Sequence, residues 1–355
     1  MMRALSLVVA LVLLAACSSP PGGARDAASQ AGDRPPLSEL TPIADPRTHE
    51  GPTTALVANN DVVPIDRPTP ALPVTVTDNQ DTVVTVTSAD RVLALDISGT
   101  LAATVFGLGL GDRVVGRDTS TGFPSARHLP LVTVNGHQLN AEALMSLRPT
   151  VVLTDTTLGP WDAVLQLRDA GVPVVVLDPK RGLENNAPIV RTVAAALGVP
   201  ATGEKLVRRM DSEITTTIAQ IDRLAPDEQE RKPRVVFLYL RGQAGIYYLF
   251  GKGSGADALI QSLGAVDVAT EAGLEGMRPI NPEALAKARP DVILLMTGGL
   301  KSVGGVDNMQ SVPGVAQTPA AQRKRFVDMD DTAVLGFGPQ TAAVLDGLAR
   351  ALYAP

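Results

Sequence analysis

Tyr239 and Arg241 stand two positions apart at the end of the apolar run Arg234 to Leu240 (RVVFLYL). In a strand both side chains fall on one face while Leu240 points the other way. A phenol with a free pKa of about 10 is a poor anion at neutral pH, but an adjacent guanidinium favours its charged form. A phenolate so stabilised is a donor for hard ferric iron, and tyrosine and histidine both serve as ligands to haem iron. The chain holds three histidines. One of them, His137, follows Asn135-Gly136 at the exit of the apolar run Leu131 to Val134. Taken singly, a loop histidine is more often plain surface, and a tyrosine at a strand end often packs its ring and wets its hydroxyl.

The elements that must position these residues are announced by a duplication. The run Asn140 to Leu153 (NAEALMSLRPTVVL) recurs as Asn281 to Leu294 (NPEALAKARPDVIL), identical at eight of fourteen positions. Each copy reads as a short helix running into a strand. Glu142 and Glu283 fall in the first helical turn, where a carboxylate suits the helix dipole. The Arg-Pro pair stops the helix, and an apolar run of strand length follows. Two distant copies imply two similar α/β lobes with a cleft between them, and open α/β sheets bind ligands beyond the carboxyl ends of their strands. His137 and Tyr239 both sit at such ends, in different lobes. A phenolate and an imidazole approaching from opposite sides suit the two axial positions of a ferric haem.

The rest of the chain fits this plan. Proline punctuation at Pro70 and Pro73 gives way to Val74 to Thr77, a turn at Asp78 to Asp81, and Val83 to Val86, which together read as a hairpin. Strands are expected at Arg91 to Asp96, Val114 to Gly116 and Val172 to Leu177. Helices are expected at Gly99 to Leu108, Asp162 to Ala170 and Ala187 to Leu197. Such alternation builds a parallel sheet. Between Gly203 and Leu224 the apolar residues Leu206, Val207, Met210, Ile214, Ile218, Ile221 and Leu224 recur at helical spacing. That helix, roughly 30 Å long, can bridge two lobes. The second lobe ends in a helix over Gln340 to Leu352.

Hydrophobic residues make up 45% of the 355, enough to fill two cores, and the net charge of -6 disfavours a nucleic-acid partner. Arg3 precedes the short apolar run Ala4 to Leu13, too short to span a bilayer, and Leu14-Ala15-Ala16-Cys17 follows. Cys17 is the one cysteine, so no internal disulfide or thiolate cluster can form. From Ser18 to about Ala71 the chain is rich in Pro, Ser, Gly, Asp and Thr without sustained period, which reads as a disordered tether.

The Leu14 to Cys17 phrase resembles the lipobox of bacterial lipoproteins, in which the cysteine carries lipid. A lipobox, a tether, a hairpin, two α/β lobes, one connecting helix and a helix-opening Glu in each lobe resemble a class III substrate-binding lipoprotein of an ABC importer. The resemblance covers about Leu72 to the carboxyl end. It implies two Rossmann-like lobes with parallel-rich sheets joined by one long α-helix. The segments are then a signal peptide (1–17), a disordered tether (18–71), a first lobe (72–199), the inter-lobe helix (200–231) and a second lobe (232–355). It also implies that Glu142 and Glu283 dock on arginines of a permease. With Gly136-His137 in its first lobe and Tyr239-x-Arg241 in its second, the chain resembles the haem-binding lipoproteins of actinobacterial haem importers. By that resemblance His137 and Tyr239 are axial ligands of haem iron and Arg241 is the hydrogen-bond partner of Tyr239.

Aligning the two repeats places Arg278 in the loop equivalent to that of His137, as a propionate or rim contact. Lys180 and Arg181, after the strand ending at Leu177, are further cleft candidates. Tyr247 and Tyr248 lie on the next strand, one facing in and one out, and either could stack on a porphyrin or replace Tyr239 as ligand. Trp161 is a pocket candidate, whereas Met296 more naturally packs in the core.

Three enzyme-like patterns fail. Gly251 to Ala256 (GKGSGA) fits a dinucleotide fingerprint but lacks its surrounding unit, and a strand-to-helix glycine turn explains it. No G-x-S-x-G elbow accompanies His128 or His137. Asp328, Asp330 and Asp331 lie at a strand exit, where acidic turns are common.

The expected function is capture of haem as transported ligand, without a catalytic cofactor, on the extracytoplasmic membrane face. The expected partners are an ABC permease and ATPase, haem-donating receptors or haemoproteins, and the membrane through lipid on Cys17, with the protein itself a monomer. A ferric siderophore or a cobalamin on the same scaffold is the alternative. A tethered enzyme would need a nucleophile and base that the chain does not display, and a zinc or manganese binder would need more imidazoles.

Overall fold

The computed structural model describes residues 34–58 and 60–355; the signal segment, Cys17 and the first part of the expected tether lie outside them. Among the described residues no helix is long and apolar enough to cross a membrane.

Residues 34–58 and 60–71 pack against both lobes, which corrects the disordered tether expected to run to residue 71. Leu37 is buried, and the Ile43 N–H donates to the Tyr353 carbonyl at 2.8 Å. Strand β1 (Thr53–Ala55) adds itself parallel to Phe326–Met329 at the edge of the second-lobe sheet, with the Thr54 hydroxyl on Asp328 at 2.9 Å. Arg47 pairs with the buried Asp291 at 2.9 Å. The strap then crosses to the first lobe, where Ile65 and Ala71 donate to the carbonyls of Gly107 and Gly198 at 2.8 and 2.9 Å. Its anchors are single residues docked on surfaces built elsewhere. Such a segment needs no amphipathic period, so none is visible in the sequence.

The first lobe opens with the hairpin β2 (Val74–Thr77) and β3 (Val83–Val86), paired Val74 to Val86 through Thr77 to Val83. The Asp78 carboxylate closes its turn by accepting the N–H groups of Gln80 and Thr82 at 2.8 and 2.9 Å. Next come β4 (Val92–Leu95), helix α1 (Thr100–Gly107), β5 (Val114–Gly116), the two-residue strands β6 (Thr133–Val134) and β7 (Gln138–Leu139), and α2 (Ala141–Ser146). The lobe ends with β8 (Val151–Thr154), α3 (Asp162–Asp169), β9 (Val174–Val176) and α4 (Leu183–Ala196). Its four-stranded sheet runs β5-β4-β8-β9, all parallel, and every residue of β4, β8 and β9 is buried, as continuous apolar runs require.

Helix α5 (Pro200–Ile221) links the lobes. It begins three residues before the expected start at Gly203, because Pro200 occupies a first-turn position where its missing N–H is harmless. Leu206, Val207, Met210, Ile214 and Ile221 are buried in one core cluster that reaches into both lobes, from Leu153 to Phe237 and Leu345.

The second lobe holds β10 (Arg234–Arg241), β11 (Ile246–Phe250), α6 (Ala256–Ser262), β12 (Val266–Asp267), β13 (Met277–Pro279), α7 (Pro282–Ala288), β14 (Val292–Met296), α8 (Thr297–Ser302), β15 (Phe326–Met329) and α9 (Thr341–Tyr353). The sheet order is β1-β15-β14-β10-β11-β13, with β12 on the start of β10. Strands β1, β15, β14 and β10 are parallel, and β11 runs antiparallel to both of its neighbours, β10 and β13. The architecture is the expected pair of α/β lobes with parallel-rich sheets and one long joining helix.

The two copies of the repeated phrase fold alike. Leu144 and Leu285 are buried at matching places, and Arg148 and Arg289 both take left-handed backbone, φ 46° and 48°, where each helix turns into its strand. Arg91 and Arg234, at the mouths of β4 and β10, each reach with Nε to the last helix turn, onto Leu147 and Ala288 carbonyls at 2.9 and 3.4 Å. Cations there complement the negative helix end.

Candidate functional site

The second-lobe wall of the cleft is written in the register of three antiparallel strands. Tyr239 pairs with Tyr248 and Tyr248 with Pro279, so these three share a face, as do Arg241 with Ile246 and Phe250 with Met277. Tyr239 is half-buried and stacks on Phe250, with ring centroids 6.2 Å apart and planes 22° from parallel. The Arg241 guanidinium lies over the Tyr239 ring, 4.8 Å from its centroid, with Nη1 3.5 Å from Asp331 Oδ2 and 3.3 Å from the Leu240 carbonyl. The contact is made through the ring face, and no hydrogen bond joins the guanidinium to the Tyr239 hydroxyl.

The first-lobe wall carries His137 on the turn between β6 and β7. Asn135 and Gly136 take φ 48° and 92°, a tight reversal that suits Asn-Gly. The turn is fixed by Asn135 Nδ2 on Gln138 Oε1 at 3.1 Å and by the Thr119 hydroxyl on the Gly136 carbonyl at 2.5 Å. The Leu139 N–H ties β7 to the Gly159 carbonyl at 2.6 Å. Asn135, His137, Gln138, Gly159 and Pro160 bound a hollow of about 580 Å³, of ligand-pocket size. His137 Nδ1 is shielded from solvent and has no hydrogen-bond partner among the described residues. Burial, and then the positive charge of Arg241, holds the imidazole below its ordinary pKa of 6.5. At neutral pH the ring is neutral, the form in which imidazole donates to a metal.

Other candidates are placed differently. Arg181 is committed elsewhere: its Nη2 lies 2.9 Å from Asp96 Oδ2 and 2.5 Å from Asp155 Oδ2, its Nε 3.1 Å from the Ser98 hydroxyl, and its side chain is 8% exposed. It bridges the carboxyl ends of β4 and β8 instead of reaching for a ligand. Beside it Asp118 is fully enclosed, and burial together with Asp96 pushes its carboxyl up to about 7. Lys180 is exposed. Arg278 pairs with Leu249, exposed on an edge strand but on the face away from Tyr239. Tyr247 pairs with Leu240 on that same far face and packs on the second-lobe core, leaving Tyr248 as the tyrosine that joins Tyr239. Trp161 packs on the first-lobe core next to Pro160, 5.9 Å from the Arg168 guanidinium, and Met296 is partly buried against the core. Glu142 and Glu283 are exposed in the first turns of α2 and α7. The glycine turn after β11 is occupied by its own chain, since Asp257 accepts the N–H groups of Gly253 and Gly255 at 2.8 and 3.0 Å.

Sequence reasoning missed Asp331, which reads in the chain as one member of an acidic turn. It also missed Ile246 and Met277, 38% and 55% exposed on the Tyr239 face. The pairing of β10, β11 and β13 would have revealed both apolar residues, but single apolar positions in short strands resemble core.

Residues 97–333 match the family model described as periplasmic binding protein. The crystal structure of heme binding protein HmuT superposes with a TM-score of 0.84 at 40% identity, covering 88% of this chain and 100% of that one. HmuT has also been solved with a histidine, a tyrosine and an arginine each replaced by alanine, the last two spaced two positions apart as Tyr239 and Arg241 are here. Periplasmic heme-binding protein RhuT from Roseiflexus sp. RS-1 superposes with a TM-score of 0.68 at 35% identity, covering 75% and 98%. The uncharacterized ABC transporter substrate-binding lipoprotein YvrC of Bacillus subtilis (strain 168) is 25% identical over 288 residues, 80% of this chain and 87% of that one. Because the matched stretch runs from the exit of β4 to just past Asp331, taking in both walls of the cleft, the chain belongs to the periplasmic binding protein family.

Proposed function

We propose that this protein captures haem between its lobes outside the cytoplasm and delivers it to an ABC permease. The observation that carries the proposal is Arg241, which touches the Tyr239 ring in one lobe and acts electrostatically on His137 in the other. One side chain thus stands beside one proposed haem-iron donor and within electrostatic reach of the other, which supports the reading. Tyr239 offers its oxygen to one axial face, with the Arg241 guanidinium over its ring. His137, neutral and with one nitrogen unpartnered, serves the other. Ile246, Tyr248 and Met277 offer apolar surface to the porphyrin faces. The HmuT and RhuT structures, both of haem-binding proteins, support the choice of ligand.

No bond of the cargo is made or broken. Glu142 and Glu283 present matched carboxylates to arginines of the permease, whose ATPase drives uptake. Lipid on Cys17 holds the protein at the membrane, haemoproteins or surface receptors supply haem, and the protein acts as a monomer.

Titration of the purified protein with hemin tests the function. The expected outcome is uptake of one haem per chain with an absorption band of tyrosinate-ligated ferric iron. A spectrum unshifted from free hemin would sink the proposal.

A further inference from the structure

We infer that Asp331 is a positioning residue that competes with the Tyr239 oxygen for the Arg241 guanidinium and so sets how readily bound haem is released. This rests on the haem reading of the cleft.

The carboxylate of Asp331 is held from behind. Its Oδ1 accepts the Gly298 N–H at the start of α8 at 2.6 Å, and a Cβ on Gly298 would lie 2.5 Å from Oδ2, so only glycine permits this approach. Oδ2 is thereby aimed at Arg241 from 3.5 Å. The pair is long, single-toothed and about one-third exposed on each side, 36% and 32%. Such a pair binds weakly and leaves the guanidinium room to turn. Once Tyr239 is ionised, Arg241 stands between two anions, and whatever charge it directs at Asp331 is withdrawn from the phenolate.

The place of Asp331 in the chain adds coupling. The next residue, Thr332, packs directly on Gly122 of the first lobe, where a Cβ could not fit. Asp330 braces that contact by accepting the Thr332 N–H and hydroxyl at 2.9 and 2.6 Å. A change in lobe separation therefore acts on the segment that carries the counter-charge of Arg241. Separation of the lobes and withdrawal of Arg241 from the phenolate become one event.

The test uses the haem-loaded full chain, with Asp331→Asn, Arg241→Ala and the double variant, read by transfer of haem to excess apomyoglobin and by the tyrosinate-to-iron band. Asparagine keeps the shape and the acceptor for Gly298 while removing the charge. Asp331→Asn is expected to slow haem loss about two- to fivefold, the range of a partly exposed ion pair, and to shift the band. In the Arg241→Ala background the same change should do neither. Haem loss unchanged or faster in Asp331→Asn alone, or altered equally in both backgrounds, would overturn the inference. A native chain without the tyrosinate band would overturn the haem reading itself, and this inference with it.

Discussion

Asn140 and Asn281 cap their helices with the same bond: each side-chain oxygen accepts the N–H three residues on, from Ala143 and Ala284, at 3.0 Å in both lobes. Each cap leaves the glutamate two positions later on the exposed first turn, free of an ion pair among the described residues. Helix capping and dipole alone favour a carboxylate there, but they do not call for two at equivalent points of two lobes.

Charge reversal tests the docking role proposed for the two glutamates. Glu142→Arg and Glu283→Arg should each leave hemin titration unchanged and stop haem-dependent growth. Binding and import must be assayed on the same variants, because loss of both would indicate damage to the lobe. Normal growth with either variant would remove that glutamate from the docking role.

Ligation should be unequal between the walls. Tyr239→Ala is expected to abolish most haem affinity and the tyrosinate band, since it removes the oxygen donor proposed for the iron. His137→Ala should weaken binding less and alter the Soret maximum, because a neutral imidazole contributes no charge. Identical spectra for both variants and the native protein would refute the ligand assignment.

Arg181 should matter for stability and not for cargo. Arg181→Met strands Asp96 and Asp155 in a buried site without their counter-charge. Breaking a buried ion pair from one side costs about 3–5 kcal/mol, to be read from the urea unfolding midpoint. Haem affinity of the folded fraction is expected to match the native protein. Lost affinity with native stability would make Arg181 a propionate contact after all.

The pH response of the first lobe should carry the signature of Asp118. Burial and Asp96 raise its carboxyl from 3.8 to about 7. The folded chain keeps this proton over a range where the unfolded chain has released it, so the stabilisation is complete below about pH 4 and is lost as pH rises to about 7. Asp155, raised by burial and by Asp96, acts in the same direction. A carbon-detected titration of Asp118 should show a midpoint well above the ordinary carboxylate range, and an ordinary midpoint would refute it.

How much of this was legible in the chain depended on range. The hairpin, the strands of the first lobe, the long helix and the helix-to-strand repeat each declare themselves within a dozen or so residues, through alternation, helical spacing, capping residues or a proline stop. Those signals also place His137 and Tyr239 at strand exits, and the duplication puts the exits in facing lobes. Residue types and local spacing were therefore enough for the two-lobe architecture, and they nominated a phenol and an imidazole as candidates for its cleft.

Tertiary structure decided what local pattern cannot encode. The described residues of the strap, 34–58 and 60–71, are held in place because distant surfaces receive their few apolar side chains and the edge of β15 pairs with β1. Arg181, by its position a loop cation free to meet a ligand, is taken by two carboxylates at other strand ends. Strand register turned Tyr248 toward Tyr239 and Arg278 away, and a one-residue change in pairing would have reversed both. Asp331 gained its meaning only by standing 3.5 Å from Arg241, 90 positions earlier in the chain. Sequence specifies which groups can ionise, donate or pack; only the folded chain settles which of them are close enough for charge and coordination, which fall off within a few ångströms, to act.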